Sequence, residues 1–269
     1  MREFPWAATP SIAATTRARP ENPARSPSWA AVDNRGVHNG HERKALRPDY
    51  DEDPERFSLA RSVLRRYALA PDVHERVARR LLDEELTPVL DVGCGDGELA
   101  RHLPVGAWVG LDNSPGMLAR APKPSVRAEA TALPFPDESF SSVALLYVLY
   151  HLPDPTLALA ECVRVLRAGG LAAVAAPSRH DSPELADALP AEPLTFDAEL
   201  APTLLRGLFA EVELDPWDAP LVELPSRAAV RDYLIGKGVE PKRARAVADE
   251  TAVPLSVTKR GSLAFARKG

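Results

Sequence analysis

The stretch Thr87-Pro-Val-Leu-Asp-Val-Gly-Cys-Gly-Asp-Gly97 decides the fold. Its first half is short and apolar, the pattern of a buried strand, and it runs straight into glycines. Gly93, Gly95 and Gly97 alternate where a strand must turn sharply into a helix. Glycine there tolerates the turn and lets a ligand approach with no Cβ in the way. A loop of this kind, at the carboxyl end of a first strand, is where open α/β sheets bind nucleotide-like molecules.

Working outward, apolar runs recur at Trp108–Leu111, Ser142–Leu146 and Leu171–Ala176, with helical stretches between them that include Glu98–Leu103 and Pro155–Leu166. Asp154 and Pro155 open the second of these, and Gly169-Gly170 are expected to stop it. Strands alternating with helices imply right-handed crossovers and a parallel sheet, that is, a doubly wound α/β fold. Upstream, Phe57, Ala60, Val63, Leu64 and Tyr67 follow helical spacing, as do Val73, Val77, Leu81 and Leu82, with Pro71 separating two short helices. Downstream, Ala201–Phe209 reads as a helix and Glu211–Leu214 as a strand. Ser226–Glu250 reads as a small helical cap or insertion, and Ser256–Ala266 as a final strand pair around Gly261.

The domain expected is residues 48–269, with its core over about 86–215 and 255–268 and a helical insertion over about 226–250. Residues 1–47 read as a disordered tail. Six prolines precede Asp49 and no apolar periodicity survives among them, so little surface is available to offset ordering entropy.

Composition excludes several classes. The 269 residues carry a net charge of −5 and are 45% hydrophobic, which does not suggest a phosphate-seeking surface. No run of about 18 apolar residues offers a membrane span. The two cysteines, Cys94 and Cys162, lack metal-ligand spacing and form no disulfide framework, so free thiols in a cytoplasmic protein are expected and no metal site is.

Two features argue against a dinucleotide on the glycine loop. Its spacing is G-x-G-x-G rather than G-x-G-x-x-G. It is also acidic, with Asp91, Asp96 and Glu98 suited to a ligand bearing an ammonium and a sulfonium rather than a pyrophosphate. A second motif, Val109-Gly-Leu-Asp-Asn-Ser-Pro115, ends the next strand on Asp112, placed to accept both hydroxyls of a ribose. Ser114 can cap the following helix with Pro115 at its first position, which leaves Asp112 for a ligand. In a third stretch, Glu129-Ala-Thr-Ala-Leu-Pro-Phe-Pro-Asp-Glu-Ser-Phe140, Glu129 can accept from an exocyclic adenine amine and the Ala130 amide can reach a ring nitrogen.

From about Leu86 to Ala176 these motifs, in this order and spacing, resemble the class I S-adenosylmethionine-dependent methyltransferases, in particular the group with V-L-D-x-G-C-G-x-G and A-x-x-L-P-F-x-D-x-S-F stretches. The resemblance implies a Rossmann-like, mostly parallel seven-stranded sheet, S-adenosylmethionine as cofactor, and methyl transfer to an acceptor. It assigns the methionine end to Asp91, Gly93 and Gly95, the ribose to Asp112, and the adenine surroundings to Asn113, Met117, Glu129 and Ala130. Cys94, Gly97 and Leu146 complete the implied cofactor contacts. Glu129 departs slightly, since many relatives carry Asp there. Leu204–Phe209 and Val230–Leu234 look like parts of a bacterial subgroup whose acceptor they do not name.

Methyl transfer from a sulfonium needs a base only where the acceptor must lose a proton. Tyr147 and His151, four apart after the fourth strand, are expected on one helical face over the acceptor, with His151 the candidate base. His180, in Ser178-Arg-His-Asp181, ranks below it, and Trp217 and Asp218 line a lid or fill the cap. No Asn-Pro-Pro-Tyr-type motif follows the fourth strand and neither cysteine is placed as a nucleophile, so a small molecule is the expected acceptor. RNA or protein acceptors, an NAD-dependent oxidoreductase, and a non-catalytic binding module on the same fold are the rival readings.

Overall fold

The computed structural model describes residues 51–70, 72–189 and 194–269. The expected tail over 1–47 lies outside the described residues. The elements follow in chain order: α1 (Pro54–Tyr67), α2 (Val73–Asp83), β1 (Val89–Val92), β2 (Trp108–Asp112), α3 (Pro115–Leu118), β3 (Ser125–Arg127), β4 (Phe140–Leu146), α4 (Pro155–Val165) and β5 (Leu166–Pro177). They continue with α5 (Ala201–Arg206), β6 (Glu211–Leu224), α6 (Arg227–Gly236), α7 (Pro241–Glu250) and β7 (Leu255–Arg267). The seven strands form one sheet in the order β3-β2-β1-β4-β5-β7-β6. All neighbours pair parallel except β7, which runs antiparallel to both β5 and β6.

The strands read as continuous apolar runs because helices cover both faces of the sheet. Successive residues alternate between two cores. Leu90, Val143, Leu145, Ala172 and Val174 face one with Leu159 and Leu205, while Val89, Ala144, Leu171 and Ala173 face the other with Val77 and Leu81. Helix starts are set by side chains. Asp72 accepts from the His74 amide, Ser114 from the Met117 amide and Asp154 from the Thr156 amide.

Several sequence expectations change in detail. α4 stops at Val165, before the glycines, because Leu166 already pairs with Phe140 in the sheet. Gly169 and Gly170 fall inside β5, and Gly169 turns it at φ +72°. Glu98–Leu103 makes only a short 3₁₀ turn over Leu99–His102. The end of the chain is one long strand rather than a pair: β7 lies along β6, which itself runs ten residues past the expected Leu214, from Glu211↔Arg267 to Leu224↔Leu255. The three-residue β3 gave no apolar signal, since it is a short edge strand whose side chains are only partly covered.

α6 and α7 stand between β6 and β7 in the chain. A third core joins them to the far ends of those strands and to α1, through Val63, Val222, Leu224, Val230, Leu234 and Val257. Gly236 sits so close to α1 that an added Cβ would meet the Ala60 Cα at 2.8 Å. Gly236→Ala is therefore expected to lower stability by about 1–3 kcal/mol through overpacking backbone against backbone, read as a shifted urea midpoint. A wild-type midpoint would show that α1 and α6 can separate at no cost.

Candidate active site

A cavity of about 980 Å³ opens over the carboxyl ends of the strands. The end to which the sequence assigns a cofactor is built by β1 and β2. Gly93 and Gly95 hold φ of +72° and +55°, and the Gly93 and Cys94 amides both donate to the Leu111 carbonyl, folding the loop onto β2. An added Cβ at Gly93 would strike Val148 at 2.4 Å, whereas one at Gly95 would meet nothing within 4 Å, because that face is open. Asp112 is buried and already engaged: Oδ2 accepts from the Gly95 amide at 2.8 Å and Oδ1 from the Ser114 amide at 2.9 Å. The sequence left this carboxylate free for a ligand. The structure instead uses one lone pair on each oxygen to fix its direction and leaves the others toward the cavity.

The remaining expected residues divide. Cys94, Asn113, Met117, Glu129, Ala130, Leu146, Tyr147 and His151 all line the cavity. Asn113 and Glu129 face each other across its rim at 3.5 Å. Asp91 and Gly97 do not line it. Asp91 lies beneath the loop, 4% exposed, and accepts from the Trp108 indole at 3.0 Å. Gly97 is buried where a Cβ would strike Pro122 at 2.5 Å. Both shape the loop from behind.

The acidic character of the loop also reads differently in three dimensions. Arg61 pairs with Asp96 at 2.6 Å and with Glu98, Arg65 reaches Glu98 at 2.5 Å, and Arg101 meets both acids. α1 thus lays two arginines over the loop, and the two acids are neutralised. The negative charge left facing the cofactor end belongs to Asp112 and Glu129. His102, on the wall of the same cavity, has a buried Nε2 with no hydrogen-bond partner among the described residues. An open glycine face, a directed carboxylate and an orphaned ring nitrogen together fit a polar cofactor of nucleoside type.

Tyr147 and His151 do not share a helical face. Tyr147 takes a left-handed conformation, φ +59°, and the turn that carries His151 begins only at Leu149. Burial, then the charges of Asp72 and Asp181, push the Tyr147 phenol up, so it keeps its proton and is available as a hydrogen-bond donor. The His151 ring packs 4.5 Å from that of Tyr150. His180 is exposed outside the cavity. Its neighbour Asp181 is the residue of that loop that lines the wall, and Arg179 turns away to the buried Asp197 at 2.8 Å. Trp217 lies in β6, with its ring packed over Gly261 and one side on the cavity.

Sequence reading missed a dyad at the start of α2. Asp72 accepts from the His74 ring Nδ1 at 2.8 Å and from the His74 amide at 3.2 Å, and both residues line the cavity, with the His74 ring 6.5 Å from that of Tyr147. Burial alone would raise the Asp72 carboxyl, yet the hydrogen bonds and charge of His74 bring it down to about 2. Nothing in the sequence marked this pair apart from a cap residue followed two positions later by a histidine.

Residues 90–174 match the family profile described as a methyltransferase domain. The stretch from β1 into β5 thus carries a methyltransferase domain. It is 36% identical over 139 residues to a demethylmenaquinone methyltransferase of Mycobacterium sp. (strain KMS), a match covering 46% of this chain and 60% of that protein. It is 30% identical over 177 residues to the 27-O-demethylrifamycin SV methyltransferase of Amycolatopsis mediterranei (strain S699), covering 61% and 57%. The matched stretches thus span somewhat over half the length of these relatives. Among solved structures, the YcgJ protein of Bacillus subtilis shares the fold with a TM-score of 0.53 at 18% identity, covering 72% of this chain and 98% of that one. No helix among the described residues is long and apolar enough to cross a membrane.

Burial, partly opposed by the Trp108 hydrogen bond, raises the Asp91 carboxyl of this domain to about 6. The folded state therefore holds a proton that the unfolded chain releases near pH 4. Its contribution is fully present below that value, is lost as pH rises to about 6, and is constant above. Asp91→Asn keeps an acceptor for the indole and removes the titration. The stability of the variant relative to wild type is expected to climb by roughly 3 kcal/mol between pH 4 and pH 6, measured by urea unfolding across that range. A flat difference would show that Asp91 titrates normally.

Proposed function

We propose that the protein transfers a methyl group from S-adenosylmethionine to a small-molecule acceptor within this cavity. One observation carries the reading: the Asp112 carboxylate, anchored by the Gly95 and Ser114 amides, is aimed beside the open face of Gly95 at the end of β2.

When bound, S-adenosylmethionine supplies a methyl group on a positively charged sulfur. The chain's own part is to hold, orient and exclude water. Asp112 would accept the ribose hydroxyls with its remaining lone pairs. Gly93 and Gly95 would bring the backbone close to the methionine portion, over a base shaped by Asp91, Cys94 and Gly97. Asn113, Met117, Glu129, Ala130 and Leu146 would enclose the adenine. Tyr147 would donate a hydrogen bond above β4. Where the acceptor atom must lose a proton, His74 is placed to take it, because Asp72 occupies Nδ1 and fixes the tautomer that leaves Nε2 as acceptor. His151 stands on the same cavity as the second candidate base.

The named relatives methylate small molecules by their names, which supports a small-molecule acceptor here rather than RNA or protein. Both cysteines are free and buried, which supports a cytoplasmic protein. The methyltransferase domain is read as residues 48–269, with α6 and α7 as its insertion.

Calorimetric titration with S-adenosylhomocysteine tests the cofactor reading. Asp112→Asn is expected to weaken binding by about 10- to 100-fold, the worth of a charge-assisted pair of hydrogen bonds. Unchanged affinity, or saturable NAD(H) binding in place of S-adenosylhomocysteine, would overturn it. The base is tested with a labelled methyl donor and a small-molecule extract. His74→Gln is expected to lower the transfer rate about 10²- to 10⁴-fold, with S-adenosylhomocysteine affinity unchanged. A rate that stays at the wild-type level in His74→Gln and falls in His151→Gln would return the role to His151.

A further inference from the structure

Across β4 from the cofactor end, the cavity wall changes character. Lys237, Lys259 and Arg260 line it with one carboxylate, Asp181, among them. Lys259 is fully committed: its ammonium donates to Asp181, to Ser182 Oγ at 3.1 Å and to the Tyr233 hydroxyl at 3.0 Å, which exhausts its three protons. Asp181 is committed as well. Oδ1 accepts from the Arg260 amide at 2.9 Å, and Oδ2 takes Lys259 and the Ser182 hydroxyl, the latter at 3.2 Å. Arg260 sends its Nε to Asp218 at 2.9 Å, and Arg76, further round the wall, is paired with Asp215.

Among the described residues of this wall, Lys237 is the cation without a carboxylate of its own. It follows the last turn of α6, with its ammonium 3.5 Å from an Asp181 oxygen that Lys259 already holds and 5.8 Å from the Tyr233 ring. The first is long for a hydrogen bond and the second is at the limit of a cation–π contact. About a third of the side chain, 36%, remains accessible. Among the described residues, Arg76, Lys259 and Arg260 match Asp215, Asp181 and Asp218, and Lys237 adds one further positive charge that has only a share of Asp181. Leu64, Ala68, Trp217, Leu221 and Val222 add apolar surface to the same cavity.

We propose that Lys237 anchors an anionic oxygen group, a carboxylate or phosphate, at the far end of an otherwise apolar acceptor. Lys237 follows α6, in a part of the chain separate from the β1 and β2 ends that carry the glycine loop and Asp112, so the acid is read as an anchor and not as the atom methylated. Lys237 is thus a specificity-determining residue whose contact acts on acceptor binding. The inference rests on the methyl-transfer reading only in calling the bound molecule an acceptor.

The test is calorimetric titration of the full chain, saturated with S-adenosylhomocysteine, using naphthoate, naphthyl phosphate and the neutral naphthalene methanol. Wild type is expected to favour an acid over the alcohol by about tenfold or more, the worth of one charge-assisted contact; whichever acid binds better identifies the group. Lys237→Met is expected to erase the preference and Lys237→Arg to keep it, with S-adenosylhomocysteine affinity unchanged in both. Equal affinity for acid and alcohol, binding by none of the three, or a preference surviving in Lys237→Met overturns the proposal. Failure of the methyl-transfer reading would appear separately, as wild type that does not bind S-adenosylhomocysteine.

Discussion

The Asp112 carboxylate holds the cofactor end together, since its two oxygens join the glycine loop after β1 to the helix start after β2. A buried carboxylate is costly unless hydrogen bonded, and the amides of Gly95 and Ser114 meet that requirement while fixing where its free lone pairs point. The loop in turn can approach only because Gly93 and Gly95 accept positive φ. With the loop placed, Leu111 receives two of its amides and the cavity floor is set. Remove the carboxylate and two strand ends lose their common reference.

The acceptor end follows a different logic. It draws its side chains from α1, α2, the loop after β5, β6, β7 and the residue after α6. Tyr147 sits at the junction of the two ends, in a left-handed conformation that a tyrosine does not adopt without cost. Its phenol, held protonated by burial and by two flanking carboxylates, marks the boundary between the Asp72–His74 pair and the Asp181–lysine cluster.

How far the sequence could be read depends on how locally each feature is encoded. The glycine loop, Asp112 and the stretch from Glu129 to Phe140 are contiguous motifs attached to strand ends, so fold and cofactor end were legible from one line of text. Even there, Asp91 and Gly97 turned out to face away from the cavity, because alternation along a strand is visible in a sequence but the final twist of a loop is not. The neutralisation of Asp96 and Glu98 was invisible, since Arg61 and Arg65 lie more than thirty residues upstream on a separate helix. The same holds for His74, Asp181, Lys237 and Lys259. Each is an unremarkable charged or polar residue in its own neighbourhood, and only the sheet order brings them to one wall. Gly169 and Gly170 misled for the opposite reason: glycine signals a backbone special, and a kink within β5 uses the same residue as a helix stop.

The long antiparallel pair of β6 and β7 does more than close the sheet. At one end it pairs with β5 inside the main core, and at the other it carries α6 and α7 between its strands. Those helices enter and leave through two neighbouring, hydrogen-bonded strands, so they hang from the sheet as one unit, and α1, packed against Gly236 on one side and paired with the glycine loop on the other, is the strut through which a shift of that unit reaches the loop.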